Sequence, residues 1–147
     1  MFVMDGRDES IITYLQGHGD ASTREISDAT DIPASTVHKR KKELEDADII
    51  QQYTVDVDWE KIGYSFTGYV LLTVDLPQLR RQGLQQTDLL EELEAIEEVT
   101  DARIITGEYD MLVTIRASDK TEFNTVLQRA VQSLTGVQDT TTMIALD

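Results

Sequence analysis

Residues 22–45 read STREISDATDIPASTVHKRKKELE, and the fold of the first half turns on how this stretch divides. Ser22-Thr23-Arg24-Glu25 has the Ser-x-x-Glu form of a capping box, in which each side chain satisfies the other residue's free backbone N–H. The spacing therefore predicts a helix beginning at Thr23, with Ile26 and Ala29 on its buried face. Thr30-Asp31-Ile32-Pro33 interrupts the period with a turn. Pro33 lacks an N–H that a first helical turn does not need, so another helix can follow at once, and Ile32 is placed to plug the corner. That helix is expected from about Ala34 to Ala47, with Ala34, Val37 and Leu44 on its inner side. An advance of ~100° per residue then turns Ser35, Thr36, Lys39 and Lys42 outward, sets His38 at the margin and leaves Arg40 and Lys41 flanking the buried stripe.

Working outward, Asp5 to Gln16 places Ile11, Ile12 and Leu15 on one apolar stripe, a short amphipathic helix that Gly17 and Gly19 stop. On the other side, Ile49-Ile50 and Tyr53-Thr54-Val55 are rich in strand formers and alternate imperfectly with polar residues, as a short wing or linker strand would. Three helices with a short turn before the third form a helix-turn-helix, whose last helix can enter a major groove. Hydroxyls at its N-terminus would reach base edges while long cations straddle phosphates. Ser35, Thr36, His38, Lys39, Arg40 and Lys42 are the candidates for that contact.

The charge balance opposes this reading and must be reconciled with it. The chain carries 28 acidic and 13 basic residues, a net charge of −15, spread over both halves with no acidic tail. Residues 32–42 nevertheless contain no carboxylate, and Lys39, Arg40, Lys41 and Lys42 are consecutive. Even acidity with few lysines is how a halophile keeps its proteins hydrated at molar salt, where the Debye length falls to ~3 Å and global repulsion is screened. A moderately acidic protein that never meets nucleic acid is the alternative, and on that view the basic run is a solvated face.

The second half changes character near Gly63. Ser65 to Leu76 alternates β-prone residues with both faces fairly apolar. Thr87 is placed to cap a helix with Leu89, Leu90, Leu93 and Ile96 inward and Glu91, Glu92, Glu94, Glu97 and Glu98 toward solvent. Val99 to Thr106 and Tyr109 to Ala117 read as two strands joined tightly at Gly107-Glu108. Asp119 with Glu122 can cap a helix carrying Phe123, Val126, Leu127, Ala130, Val131 and Leu134, ended by Gly136, and Val137 to Leu146 forms a last strand. The order β-α-β-β-α-β predicts an α+β chain, a winged helix-turn-helix followed by a ferredoxin-like antiparallel sheet with both helices on one side. The expected partition is 1–53 for the helical domain, 54–64 for a linker and 65–147 for the sheet domain. The sheet's other face needs a cover, and a second copy of the chain is the economical one.

Met4-Asp5-x-x-Asp8-x-x-Ile11-Ile12-x-x-Leu15, Ser35-x-Val37-x-x-Arg40-x-x-x-Leu44-Glu45, Ile49-Ile50, Tyr53 and Gly63 together resemble the helix-turn-helix of the leucine-responsive (Lrp/AsnC, feast-famine) regulators. Val99, Thr106-Gly107-Glu108-Tyr109-Asp110, and Gly136-Val137 followed by Thr140 and Thr142 resemble that family's second domain, so the likeness spans about nine-tenths of the chain. One departure is Asp48, where the family usually has Gly. The resemblance implies a sequence-specific transcriptional regulator that pairs as a homodimer and associates further, into tetramers or octamers. The even acidity adds that its source is a halophilic archaeon. The likeness also implies an amino-acid effector bound beside the Gly-x-Tyr-Asp turn, at Gly107, Glu108, Tyr109, Asp110, Thr140 and Thr142. Read as residues alone, these positions fit a tight turn, a backbone acceptor and good strand formers equally well.

Several function classes are disfavoured. The chain has no cysteine, and its two histidines, His18 and His38, lie apart, so neither a metal site nor a cofactor is expected. Glu108 and Asp110 are two apart on a strand and should point to opposite faces, poor geometry for acid–base catalysis, and no nucleotide or nucleophile motif accompanies them. An adaptor that keeps the helix-turn-helix shape without DNA binding is the other rival. No apolar run approaches the ~18 residues of a membrane span, and Met1 to Met4 offers no secretory pattern, so the cytoplasm is the expected compartment.

Overall fold

The computed structural model describes residues 1–146 and divides the chain into two compact units, Met1–Val57 and Asp58–Asp147. In the first, α1 spans Gly6–Gly17, α2 Thr23–Thr30 and α3 Ala34–Asp46. Reciprocal caps start α1 and α2. The Asp5 carboxylate accepts from the N–H of Arg7 and of Asp8 while Asp8 accepts from the N–H of Asp5, and Ser22 and Glu25 exchange the same pair of bonds. Seven residues form the core: Ile11, Leu15, Ala21, Ile26, Ile32, Val37 and Leu44. Ala29 and Ala34, expected inside, are exposed. Ile32 already fills the corner between α2 and α3, so a small side chain at either flank finds nothing to pack against.

The turn between α2 and α3 is drawn tight by the Ser27 hydroxyl, which donates to the Ile32 carbonyl at 2.5 Å, and by Asp31 in the left-handed conformation at φ 56°. Asp48 adopts the same conformation at φ 55°, which lets the N–H groups of Ile49 and Ile50 both reach the Leu44 carbonyl and close α3. The expected wing strand does not form. Gln51–Asp58 has no regular structure, because this unit offers no second strand to share its hydrogen bonds. Tyr53 instead turns back to α3, where its hydroxyl donates to Glu45 at 2.6 Å.

The second unit holds β1 Phe66–Val74, α4 Leu76–Arg81, α5 Gln86–Glu94, β2 Val99–Ile104, β3 Met111–Ala117, α6 Lys120–Val126 and β4 Val137–Ile144. The strands lie in the order β2-β3-β1-β4, all antiparallel, which is the ferredoxin-like arrangement. Val70, Leu72 and Val74 of β1, with Met111, Val113, Ile115 and Ala117 of β3, meet Leu89, Leu93, Phe123, Val126 and Val131 in one apolar core. Residues of opposite parity, including Tyr69, Leu71, Leu112 and Met143, lie on the other face without a helix over it.

Four details depart from the sequence reading. The first strand ends at Val74, and α4 follows it, started by Asp75 accepting from the Gln78 N–H at 2.9 Å. Gln85, not Thr87, caps α5 in a box with Asp88. The β2–β3 connection is six residues, 105–110, closed by Asp110, whose carbonyl accepts from the Ile105 N–H at 2.9 Å while its own N–H donates to the Leu72 carbonyl of β1. Finally, α6 widens into a π-turn over Leu127–Val131, which carries the apolar stripe past the point where regular α geometry stops.

Two glycines mark close approaches. A Cβ at Gly68 would stand 2.3 Å from Phe123, and one at Gly136 would stand 2.5 Å from Leu79. Gly136 is further required by its φ of 95°, and its N–H donates to the Gln78 side chain at 2.9 Å. Among the described residues no helix is long and apolar enough to cross a membrane.

Candidate nucleic-acid interface

The basic run on α3 does not present four equivalent cations. Two turns of helix, with Val37 and Leu44 buried beneath, sort the charges by direction. Lys39 extends into solvent with a side chain 75% exposed and only a loose 3.9 Å approach to Glu43. Lys42 is exposed and enters no ion pair among the described residues. Lys41 is half-buried, its ammonium 5.0 Å from the centre of the Tyr53 ring.

Arg40 is placed differently from the lysines beside it. It was expected to flank the stripe and reach phosphate, but its guanidinium is turned inward onto Asp8, a carboxylate with no solvent exposure. The Nε donates to Oδ1 of Asp8 at 2.7 Å, Nη2 donates to Oδ2, and Nη1 donates to Glu43 at 2.7 Å. The Phe2 ring lies 5.0 Å away on its face. The hydrogen bonds from Arg40 hold the Asp8 carboxyl below the usual carboxylate range against the opposing effect of burial. Held this way, the guanidinium spends four of its five N–H groups within the helical unit. The sequence reading gave Asp8 no role beyond its place in the family-like pattern, although it falls on the same helical stripe as Ile11 and Leu15, where an acid requires a partner.

What remains on the outer side of α3 is coherent: Ser35, His38, Lys39 and Lys42 exposed, with Thr36 half-exposed beside them. The first turn of α3 carries no acid, and its free N–H groups leave that end electropositive. Short hydroxyls at the positive end of a helix and long cations one and two turns on give a surface that can lie along a duplex.

The second set of expected site residues gathers at one end of the sheet. Gly107, at φ 131°, and Glu108 are exposed at the tip of the β2–β3 turn, and Tyr109 is half-buried. Asp110 has a structural duty: its Oδ2 accepts from the Val74 N–H at 2.7 Å, and its own N–H donates to the Leu72 carbonyl at 2.9 Å. Thr140 pairs with Leu72 from the opposite side, and its hydroxyl accepts from Gln132 at 2.7 Å, while Thr142 is exposed across from Val70. Turn and threonines are thus separated by β1, about 10 Å or two strand spacings.

Two family models match the chain in the same two pieces. Residues 4–51 match a winged helix-turn-helix DNA-binding model, and residues 70–147 match the Lrp/AsnC ligand binding domain. The HTH-type transcriptional regulator FL11 of Pyrococcus abyssi is 35% identical over 143 residues, covering 97% of this chain and 89% of the relative. The chain belongs to the Lrp/AsnC family. It is a DNA-binding transcriptional regulator and not an enzyme. Among solved members of similar shape, a transcriptional regulator of Neisseria meningitidis in an L-Met complex superposes with a TM-score of 0.88 at 25% identity, covering 99% of this chain and 91% of that one. A feast or famine regulatory protein from M. tuberculosis complexed with L-methionine superposes with a TM-score of 0.86 at 25% identity, covering 99% and 93%. Each family model thus falls within one of the two compact units.

Proposed function

We propose that this Lrp/AsnC regulator reads duplex DNA with Ser35, Thr36 and His38 of α3 toward base edges and Lys39 and Lys42 on flanking phosphates, Arg40 being withdrawn from that set. The observation that carries the reading is the outward sorting of Lys39 and Lys42 in a carboxylate-free stretch of a molecule with net charge −15. Residues 1–53 act as the reader, 54–64 as linker and 65–147 as the pairing and sensing domain. Two copies cover each other's open sheet faces, so that paired recognition helices meet paired half-sites, and larger assemblies follow from the dimer. An amino acid is the effector class, supported by the L-methionine complexes of two relatives. Gly107, Glu108 and Tyr109 with Thr140 and Thr142 face it, and Asp110 builds the turn that presents them. The even acidity supports work at high internal salt in the cytoplasm of a halophile, where screening removes the long-range repulsion between protein and duplex.

The test replaces Lys39 and Lys42 together by Gln. If both hold phosphates, binding weakens for every sequence, and the slope of log K against log salt falls by about 1.8, or 0.9 per phosphate contact. Unchanged DNA binding would remove both lysines from the contact set, whereas unchanged cellular function of the variant with the oligomer intact would favour the adaptor alternative.

A further inference from the structure

The hold on α3 is unusually thin in apolar terms. Val37 and Leu44 are its buried residues, two turns apart on one line. Arg40 stands between them on that line, where a third apolar side chain would ordinarily sit. Two knobs on a line define an axis but leave the helix free to roll about it. The clasp at position 40 removes that freedom, because a guanidinium fork and a carboxylate meet bidentately in one plane. The far side of the clasp is rigid too. Asp8 has no exposure, and its Oδ2 also accepts from the Asp5 N–H at 2.9 Å, so its carboxylate is fixed to the start of α1. Glu43 and the Val3 carbonyl, the latter at 3.4 Å from Nη2, take the remaining edges of the guanidinium.

We infer that the Asp8–Arg40 pair sets the sequence specificity of the regulator without touching nucleic acid, by fixing the rotational setting of α3; both are positioning residues. The inference rests on α3 being the reading helix. A roll of a few degrees moves Ser35 and Thr36, whose short side chains must meet base edges within hydrogen-bond distance. Lys39 and Lys42 absorb the same roll in their flexible stems and keep their phosphates. Loss of the pair therefore lowers discrimination while general DNA affinity persists. Buried ion pairs contribute little net stability against apolar replacements of similar size, and what they can supply is a single geometry.

The decisive variant is Asp8→Leu with Arg40→Met. It removes one carboxylate and one guanidinium, leaving the net charge of −15 as it was, and fills the space with apolar atoms. The probes are a duplex enriched by the parent protein from a randomised pool and a scrambled duplex of equal length, titrated well below the melting midpoint. The double variant is expected to bind the scrambled duplex with the parent's affinity and salt slope, and to bind the enriched duplex about tenfold more weakly, the equivalent of one misread base pair. Arg40→Lys, which keeps the charge and loses the fork, is expected to behave alike and carries the test should the double variant not fold. A parent-like ratio of the two affinities in a folded variant overturns the inference. Lys39→Gln with Lys42→Gln is measured alongside. If it weakens both duplexes while the Asp8–Arg40 variants keep the parent's ratio, the positioning role alone fails; if it weakens neither, the reading of α3 fails and the inference with it.

Discussion

Phe123 and Arg40 hold comparable stations in their two units. Each stands on the inward stripe of a helix, yet one is an apolar ring that lies against the bare backbone of Gly68, and the other is a cation clasped by a buried acid. The sheet unit secures α6 by volume, with fourteen buried residues in one cluster, whereas the helical unit has seven and adds a directional bond. Apolar packing is strong but indifferent to small rotations. A bidentate pair is weaker in net terms and tolerates one orientation.

The largest effect that sharpens this contrast is expected at Phe123. Phe123→Ala should lower the stability of the sheet unit by about 3–5 kcal/mol in urea unfolding, since a ring-sized cavity opens beneath β1. A loss under ~1 kcal/mol would mean that the core collapses to fill the gap and that volume is not what holds α6. Next comes Asp8→Leu alone. It strands the Arg40 charge against an apolar wall, and the helical unit should melt roughly 5 °C lower or more, with Arg40→Met restoring most of the loss. If the second change restores nothing, the pair's geometry and not its desolvated charge governs stability.

Acid should then separate the units. The Asp8 carboxyl is held low first by its hydrogen bonds to Arg40. A carboxyl whose folded pKa is depressed contributes stability that is complete above its unfolded value, ~3.9, and is lost as pH falls through the folded value. Below pH ~4 the parent's helical signal should therefore decline more steeply than that of the Asp8→Leu, Arg40→Met variant; equal slopes in far-ultraviolet circular dichroism would remove the pair from the acid transition. The smallest effect is expected at Lys39→Gln and Lys42→Gln, which should leave stability within about 0.5 kcal/mol because neither side chain packs. A larger shift in the melting curve would show them to be structural.

How much of this was legible beforehand follows from the range of each interaction. Capping boxes four residues long and apolar stripes four apart are local, so α1, α2, α3 and the β-α-β-β-α-β order were readable from spacing alone. The clasp on Arg40 went unread because its partner lies thirty-two positions away. Nothing adjacent to Lys39-Arg40-Lys41-Lys42 tells an anchored cation from a free one, although its place between Val37 and Leu44 was a usable sign. The wing strand failed for a related reason: Tyr53 and Val55 carry strand propensity, but a strand exists only where another offers its hydrogen bonds. At the β2–β3 turn, Gly107 was identifiable as a turn glycine, while the engagement of Asp110 with Val74 depended on a register that only the folded sheet sets.

Position 136 carries a consequence for the gene. Every amino-acid replacement there adds at least one carbon, and that carbon must enter the space of Leu79 on a backbone already turned to φ 95°. Exposed glutamates such as Glu91 and Glu92 can drift among polar residues as lineages diverge. The codon at 136 cannot, and a library of random variants sorted for folded protein should return it nearly unmixed.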